Sequence, residues 1–287
     1  MGITEAQRAE RKNHLGSSDI PAIMGFSRFA NAYDIWLLKT GRVQPQEKTQ
    51  DYIQAGNLLE RPVINWCESF LDMKIDTDEK KLERQVEGLP IVTHMDGEVL
   101  DSGEPVEVKT EGVDHPIFEP WGEAGTDEVP EYTYLQAHCH LMATDREICH
   151  VPTFLGGRGF GYFFVKRDNK IVELIKQQAI DFWENHVLKD IPPESPPSLA
   201  MAKRIRSVEG DPVTIPDEIV RQWLDAKDAA SAAVKQKEFY QAEILAALDG
   251  HEMGTCELGD VTNFSQNRKG YTVEPTSFRV LRLKKRK

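Results

Sequence analysis

The sequence has little of what marks secreted, membrane-spanning or disulfide-stapled proteins. Only four of its 287 residues are cysteines, and no two of them form a CxxC pair. Cys139 lies between His138 and His140, but this spacing fits no common metal site, so we expect reduced thiols. No apolar run approaches the roughly 20 residues that cross a bilayer, and the charged first residues lack the apolar stretch of a signal peptide. These absences predict a cytoplasmic protein with no membrane contact.

Positive charge is also scarce. The chain has 35 Lys and Arg against 47 Asp and Glu, which gives a net charge of −12. This balance argues against a general affinity for nucleic acid, because phosphate binding depends mostly on Lys and Arg. A nuclease stays compatible with it, because acidic metal ligands add negative charge that bound cations offset. The basic residues 279–287 are typical of a solvated tail or of an arm that contacts DNA.

The stretch THMDGEVLDSGEPVEVKT, residues 93–110, predicts a β-hairpin. Two short extended runs, 94–100 and 105–110, flank a polar, glycine-containing segment at 101–104, as a hairpin requires. The apolar face of such a hairpin can enter a core, whereas its polar face gathers charges that need an explanation.

Side chains alternate across a strand, so Glu107 and Lys109 share one face while Val106 and Val108 take the other. Asp96, on the partner strand, can reach the polar face and bring a second carboxylate to this sheet edge. Two carboxylates and an ammonium suit a Mg²⁺ ion that activates water. Asp96 followed after ten residues by the Glu107–Lys109 tripeptide resembles the PD-(D/E)xK nuclease signature. The alternative is a solvated hairpin that carries these charges by chance.

A third carboxylate, Glu60, lies beside the apolar stripe of a helix that is predicted to open at Ala55, with Pro62 near its first turn. An unpaired charge at a core margin costs several kcal/mol, roughly. Glu60 is therefore either a ligand of a metal ion, a partner of a basic group, or a surface side chain that reaches solvent.

Ser18 precedes Pro21 and an apolar cluster, so it is predicted to N-cap a short helix. The free N–H groups at such a helix end, with a serine hydroxyl, suit a phosphate group. A plain helix cap without a ligand satisfies the same pattern.

The proline-rich run at 192–197 predicts a domain edge, because consecutive prolines stop helices and act as semi-rigid spacers. We expect one domain over 1–197 and a C-terminal appendage over 198–287. Within the appendage, 216–249 predicts one long helix or a hairpin of two, and 255–273 predicts a small β-hairpin.

Over residues 8–195 these segments resemble, in order and spacing, the YqaJ-like viral recombinase family, which includes the phage lambda exonuclease. The motifs that carry the resemblance are Arg11, Gly16-Ser17-Ser18-Asp19-Ile20, Tyr33-Asp34-Ile35-Trp36-Leu37 with Gly41, Gly56-Asn57-Leu58-Leu59-Glu60, Met95-Asp96-Gly97, Glu107-Val108-Lys109, Pro130-Glu131-Tyr132 with Gln136, and Phe182-Trp183. The resemblance implies an α/β (α+β) fold: a restriction-endonuclease-like core whose central mixed β-sheet is flanked by helices, followed by the helical and β-hairpin appendage.

The resemblance also implies roles for single residues. Glu60, Asp96 and Glu107, with the carbonyl of Val108, would bind one or two Mg²⁺ or Mn²⁺ ions. Lys109 would position or activate the attacking water.

Three further residues take their expected roles from the same resemblance. Gln136 would lie beside the site and help to place Lys109 or the scissile phosphate, and Arg11 and Ser18 would hold a terminal 5′-phosphate. The chain departs from the family at two positions. It lacks the tryptophan that commonly precedes the Arg11 position, and it has His138 where a second glutamine is often found.

The implied activity is 5′ to 3′ degradation of one strand of linear double-stranded DNA, which leaves 3′ overhangs for phage homologous recombination. A phage or prophage protein of this kind works in the bacterial cytoplasm as a homo-oligomeric ring, a trimer or a tetramer, and hands its product to a single-strand annealing protein. The alternatives are an endonuclease of the same superfamily, an inactive protein that binds DNA ends, and a purely structural acidic protein.

Overall fold

The structure, a computed structural model, describes residues 12–44, 51–78, 82–112, 121–205 and 212–265. The chain divides into two compact units, Met1–Ser207 and Val208–Lys287. The described elements of the first unit are, in chain order, β1 (Leu15–Gly16), α1 (Ile20–Ile23), α2 (Ala32–Lys39), α3 (Asp51–Leu71), β2 (Ile75–Asp76), β3 (Glu83–Gln85), β4 (Ile91–His94), β5 (Gly97–Val99), β6 (Pro105–Val106), β7 (Lys109–Glu111), α4 (Glu131–Thr144), β8 (Ile148–Leu155), β9 (Gly159–Lys166), α5 (Asn169–Asp181), a π-helical turn (Phe182–Leu188) and α6 (Leu199–Ala202).

The larger sheet of this unit is mixed, as the sequence predicts. Strands β2 and β5 and strands β5 and β6 pair antiparallel, whereas β6 and β7 both run parallel to β8. The partners Val106↔His150 and Lys109↔Thr153 keep one register, so β6 and β7 follow the same side of β8. Strand β9 covers the other side of β8 in an antiparallel hairpin. A smaller sheet contains β1, β4 and β3.

Helix α4 lies at the centre of the first unit, between the large sheet and the other helices. Its residues Ala137 and Leu141 pack against sheet residues that include Phe163. Its opposite stripe, which contains Leu135 and Cys139, packs into a second cluster with residues of α1, α2 and α5. Helix α3 packs on the Val106 side of the sheet. Because side chains alternate along a strand, Glu107 faces the α4 side.

The first turn of α2 is closed by a capping box and is linked to the proline-rich segment. The Asn31 side chain accepts a hydrogen bond from Asp34 N at 3.0 Å, and Asn31 N donates to the Asp34 carboxylate at 3.3 Å. Asn31 Nδ2 also donates to Pro196 O, and Ser198 N donates to Asp34 Oδ1. Residues just beyond the predicted edge at 197 therefore pack against the first unit, whose compact part extends to Ser207.

Two local predictions are wrong. The residue before α1 is Asp19, not Ser18, and its side chain makes no capping hydrogen bond. The Asp19 carboxylate instead accepts a hydrogen bond from Gly16 N at 2.8 Å and lies 2.7 Å from Lys39 Nζ. Helix α3 begins at Asp51, so Pro62 lies in its interior and not in its first turn.

The described residues of the second unit form one helix, α7 (Asp217–Leu248), and the strands β10 (Met253–Cys256) and β11 (Gly259–Thr262). The two strands form an antiparallel hairpin that closes between Cys256 and Gly259. Of the two predicted forms of segment 216–249, the single helix is present. The predicted hairpin at 255–273 begins earlier in the chain, and residues 266–287, with the basic tail, lie outside the described residues.

None of the helices in the described part of the chain combines the length and the apolar character that a membrane crossing requires.

The cap of α2 gives a stability prediction. Asn31→Ala removes the cap on Asp34 N and the hydrogen bond to Pro196 O, so we expect the free energy of unfolding to fall by about 1–2 kcal/mol. Urea unfolding followed by circular dichroism measures the change. Asn57→Ala, at an exposed position of α3, is the control and should shift the value by less than about 0.5 kcal/mol. Equal effects of the two substitutions would contradict the prediction.

Candidate functional site

The predicted hairpin is present, but both of its strands are interrupted at the acidic residues. Strands β5 and β6 pair around the turn, with Gly97 opposite Val106. Strand β4 ends at His94 and β5 begins at Gly97, and these two strands belong to different sheets. Asp96 therefore lies where the chain passes from the small sheet to the large one. Strand β6 lies between β5 and β8, whereas β7, which begins at Lys109, pairs with β8 alone among the described strands.

Asp96 links the two halves of the hairpin through its backbone and its side chain. Asp96 N donates a hydrogen bond to Val106 O at 3.0 Å. Its carboxylate Oδ2 accepts a hydrogen bond from Val108 N at 2.7 Å. Val108 lies in the gap between β6 and β7, so the Asp96 side chain supplies a partner for a backbone N–H at a strand interruption.

Glu107 is buried, with 4% of its surface exposed. Its backbone N–H donates to His150 O of β8. Its carboxylate accepts two hydrogen bonds, one at Oε1 from Lys109 Nζ at 2.6 Å and one at Oε2 from His140 Nε2 at 2.8 Å. The predicted common face of Glu107 and Lys109 is confirmed, and the alternative of a solvated hairpin is excluded for Glu107.

Helix α4 supplies three side chains around this ion pair. Gln136 Oε1 accepts a hydrogen bond from Lys109 Nζ at 2.9 Å, and the ammonium lies 5.4 Å from the centre of the Tyr132 ring. Tyr132, Gln136 and His140 follow one another at intervals of four residues and so occupy one face of the helix. The sequence predicted only Gln136. The four-residue spacing on either side of it was the signal for the other two.

The charges of this group shift one another's pKa values in opposite directions. Burial opposes ionisation of Glu107, but Lys109 and His140 outweigh it and lower its pKa to about 2. Burial also disfavours the Lys109 ammonium, but Glu107 outweighs it and raises the pKa of Lys109 above its ordinary value. Burial raises the pKa of Asp96 well above its ordinary value, and Glu107 and Glu60 raise it further. The group therefore holds one well-compensated carboxylate and one poorly compensated carboxylate.

Glu60 reaches this group because α3 runs close to β7. A Cβ atom built on Gly56 would lie 3.2 Å from Thr110 Oγ1, so glycine permits the close approach of helix and strand. Glu60 lies one helical turn beyond Gly56 and is half-buried. Glu60 is close enough to Asp96 to raise the pKa of that carboxyl.

The two residues predicted to hold a 5′-phosphate do not join this group in the described structure. Ser18 is exposed in the turn before α1, and Arg11 lies outside the described residues. A helix of four residues is too short to supply the aligned N–H groups on which the Ser18 expectation was based.

His138, which replaces a glutamine often found in the family, has a structural environment. His138 Nδ1 donates to Tyr134 O at 2.8 Å, and its Nε2 accepts from Asp168 N at 3.0 Å, next to the start of α5. Burial lowers the pKa of this ring below its ordinary value. His138 therefore links α4 to the start of α5 and makes no hydrogen bond to Asp96, Glu107 or Lys109.

The acidic group fits a hard divalent cation only if water and substrate complete the coordination. No three His, Cys, Asp or Glu side chains within the described residues are arranged to hold a metal ion by themselves. Mg²⁺ in proteins is usually bound by one or two carboxylates together with waters and phosphate oxygens. Asp96 and Glu107 provide carboxylates, and each carboxylate oxygen has a second lone pair beyond its hydrogen bond.

Residues 8–147 match the family model of the YqaJ-like viral recombinase domain. The uncharacterized protein YqaJ of Bacillus subtilis (strain 168) is 25% identical to this chain over 265 residues, which cover 89% of this chain and 80% of that protein. The resemblance predicted from the sequence motifs is thereby confirmed.

Parts of this chain are similar to solved structures. The crystal structure of an alkaline exonuclease from Laribacter hongkongensis matches 66% of this chain and 94% of its own chain, with a TM-score of 0.50 and 14% identity. That of a phage-related exonuclease from Haemophilus somnus 129PT matches 62% of this chain and 97% of its own, with a TM-score of 0.46 and 16% identity. At 14% identity the first likeness shows the fold alone, and it confirms the predicted mixed α+β architecture.

The opposite pKa shifts of Asp96 and Glu107 predict that replacing each carboxylate by its amide has opposite effects on the free energy of unfolding. The comparison applies at neutral pH, with a chelator present to remove divalent cations. The raised pKa of Asp96 means that its ionised form opposes folding, so Asp96→Asn should raise the free energy of unfolding by about 1 kcal/mol. The lowered pKa of Glu107 means that its ionised form favours folding above its unfolded pKa and loses this effect near pH 2. Glu107→Gln should therefore lower the free energy of unfolding by about 3 kcal/mol.

Urea unfolding of both variants at pH 7 measures these changes. Losses of equal size would show that the two carboxylates have equivalent surroundings, contrary to the geometry described above.

Proposed function

We propose, on the premise that residues 8–147 match the YqaJ-like viral recombinase domain, that the protein is a metal-dependent exonuclease that acts on linear double-stranded DNA. It degrades one strand from its 5′ end and leaves a 3′ overhang for phage recombination. The observation that carries this proposal is the convergence of Asp96, Glu107, Lys109 and Gln136 at the interrupted hairpin. A fold-level relative that is described as an alkaline exonuclease supports the same reaction class.

The residues that would hold one or two Mg²⁺ or Mn²⁺ ions are Asp96, Glu107 and Glu60, with the carbonyl of Val108. When bound, such a cation activates water and offsets negative charge on a phosphoryl oxygen. Among the described residues, the Asp96 carboxylate accepts a hydrogen bond from Val108 N at Oδ2, which leaves Oδ1 without a hydrogen-bond partner there. That Asp96 oxygen is the atom that would ligate a cation.

Lys109 orients the reacting groups and stabilises developing charge. Its ammonium already donates to Glu107 and Gln136, and an ammonium has three N–H donors. The third donor can reach a water molecule or a phosphate oxygen. A fixed cation in a partly buried site stabilises the negative charge of the transition state more than it would in water.

Arg11 and Ser18 are proposed to bind the terminal 5′-phosphate and so to give the reaction its polarity. The exposure of the Ser18 side chain leaves its hydroxyl accessible, and Arg is suited to phosphate because its planar fork donates two parallel hydrogen bonds. This pair is proposed from the family motif and not from a pocket.

The partners follow from the same family. We propose a homo-oligomeric ring, a trimer or tetramer, that encircles the DNA in the cytoplasm of a bacterial host. A single-strand annealing protein would take up the 3′ overhang.

The function predicts nucleotide release from linear, 5′-phosphorylated duplex DNA in the presence of Mg²⁺. Lys109→Ala should reduce the rate roughly 100- to 1,000-fold, and Asp96→Ala should abolish measurable release, as should a chelator. Lys166→Ala, at an exposed position of β9, is the matched lysine control and should retain the wild-type rate. Release of acid-soluble nucleotides over time is the measurement.

The choice of substrate separates the proposal from its alternatives. Covalently closed circular duplex should survive under the same conditions. Cleavage of circles at the rate of linear DNA would identify an endonuclease, and tight binding to DNA ends without cleavage in Mn²⁺ would identify an inactive end-binding protein.

The phosphate-binding role of Arg11 predicts a dependence on the chemistry of the DNA end. Arg11→Ala should slow the digestion of 5′-phosphorylated ends about tenfold or more, the loss expected for one charge-assisted pair. It should change the digestion of 5′-hydroxyl ends little. Equal slowing on both kinds of end would remove Arg11 from this role.

A further inference from the structure

Two fully buried histidines lie two residues apart on α4, and their environments differ. His138 and His140 both have 0% exposure. Both ring nitrogens of His138 have backbone partners, Tyr134 O and Asp168 N. His140 uses one nitrogen, Nε2, which donates to Glu107 Oε2 at 2.8 Å. One histidine therefore bonds only to the backbone, whereas the other bonds to a charged residue of the proposed site.

The second nitrogen of His140 shows that this position is not optimised for packing. Nδ1 is buried and has no hydrogen-bond partner among the described residues. A buried polar atom without a partner costs about 1–3 kcal/mol. A leucine at this position would avoid that cost and fill a similar volume. The feature that a leucine could not supply is the hydrogen bond to Glu107.

Helix α4 holds the ion pair from two successive turns. Gln136 accepts from the Lys109 ammonium, and His140, one turn later, donates to the Glu107 carboxylate. The two contacts fix both members of a pair whose own contact is 2.6 Å. With Oε2 bound to His140, the Glu107 carboxylate cannot rotate freely about its last bond, so the orientation of Oε1 is also fixed.

We propose that His140 is a positioning residue that orients Glu107 for cation binding, an inference that rests on the metal-dependent function proposed above. Its hydrogen bond restricts the carboxylate before a cation arrives, so less conformational entropy is lost on binding. Residues that hydrogen-bond to metal ligands typically affect metal affinity or activity 10- to 100-fold. His140 makes no contact with substrate in this role and acts through Glu107 alone.

The test measures Mn²⁺ binding to the full chain directly, by titration calorimetry and by the electron paramagnetic resonance signal of free Mn²⁺. His140→Leu removes the donor and should weaken Mn²⁺ binding about 10- to 100-fold. His140→Gln restores an N–H donor and should recover affinity to within about threefold of wild type. His138→Leu is the matched control, because it alters a buried histidine of the same helix that does not contact the site.

The control separates positioning from stability. His138→Leu should lower the melting temperature, because it leaves Tyr134 O and Asp168 N without their partner, and should leave Mn²⁺ affinity unchanged. If His140→Leu does not fold, His140→Met provides a flexible apolar side chain without a donor, and the same loss of affinity is expected.

Three outcomes among the variants would overturn the inference: wild-type Mn²⁺ affinity in His140→Leu or His140→Met, no recovery in His140→Gln, or an equal loss in His138→Leu. A wild-type protein that binds no Mn²⁺ would overturn it together with the metal-dependent function. A wild-type protein that binds Mn²⁺ but releases no nucleotides would overturn the proposed activity alone, since the binding comparison among the variants would still decide the role of His140.

Discussion

The buried ion pair between Glu107 and Lys109 constrains the whole first unit. Removing two charges from water costs several kcal/mol per ion, so the pair persists only where other groups complete its hydrogen bonds. Those groups come from elements distant in sequence. His150 on β8 accepts from the Glu107 backbone, and His140 and Gln136 on α4 bind the carboxylate and the ammonium. The pair is therefore stable only after β8 and α4 have packed on the hairpin.

This dependence explains the position of α4 in the fold. One face of the helix carries Gln136 and His140 to the ion pair, while Ala137 and Leu141 pack on the sheet. The opposite stripe closes the helical layer with α1, α2 and α5. A helix buried on nearly every side has little freedom to shift. The hydrogen bonds from Gln136 and His140 to the ion pair are therefore held in a fixed geometry. The chemistry proposed for the hairpin thus depends on the packing of α1, α2 and α5, which hold α4 in place.

Local rules predicted those parts of the site that depend on neighbours along the chain. Strand alternation placed Glu107 and Lys109 on one face. Local rules failed where the partner is distant. His140 is 33 residues from Glu107. Its four-residue spacing from Gln136 indicates a shared helix face, but that spacing does not identify Glu107 as its partner. The interruption at Asp96 also escaped prediction, because it arises where two sheets meet. Ser18 was expected to cap a helix, but that helix proved to have only four residues.

Gly56 has no reactive side chain, yet it allows α3 and β7 to approach each other closely beside the proposed site. A Cβ atom at this position would lie 3.2 Å from Thr110 Oγ1 of β7, a tight contact that the Thr110 side chain or the helix would have to relieve by a small shift. Glu60 is one turn further along the same helix, so a shift of α3 would also move this carboxylate. A substitution at Gly56 therefore acts on the approach of α3 to β7 while leaving every proposed ligand in place. The approach of helix and strand is thus encoded by a residue other than the carboxylates.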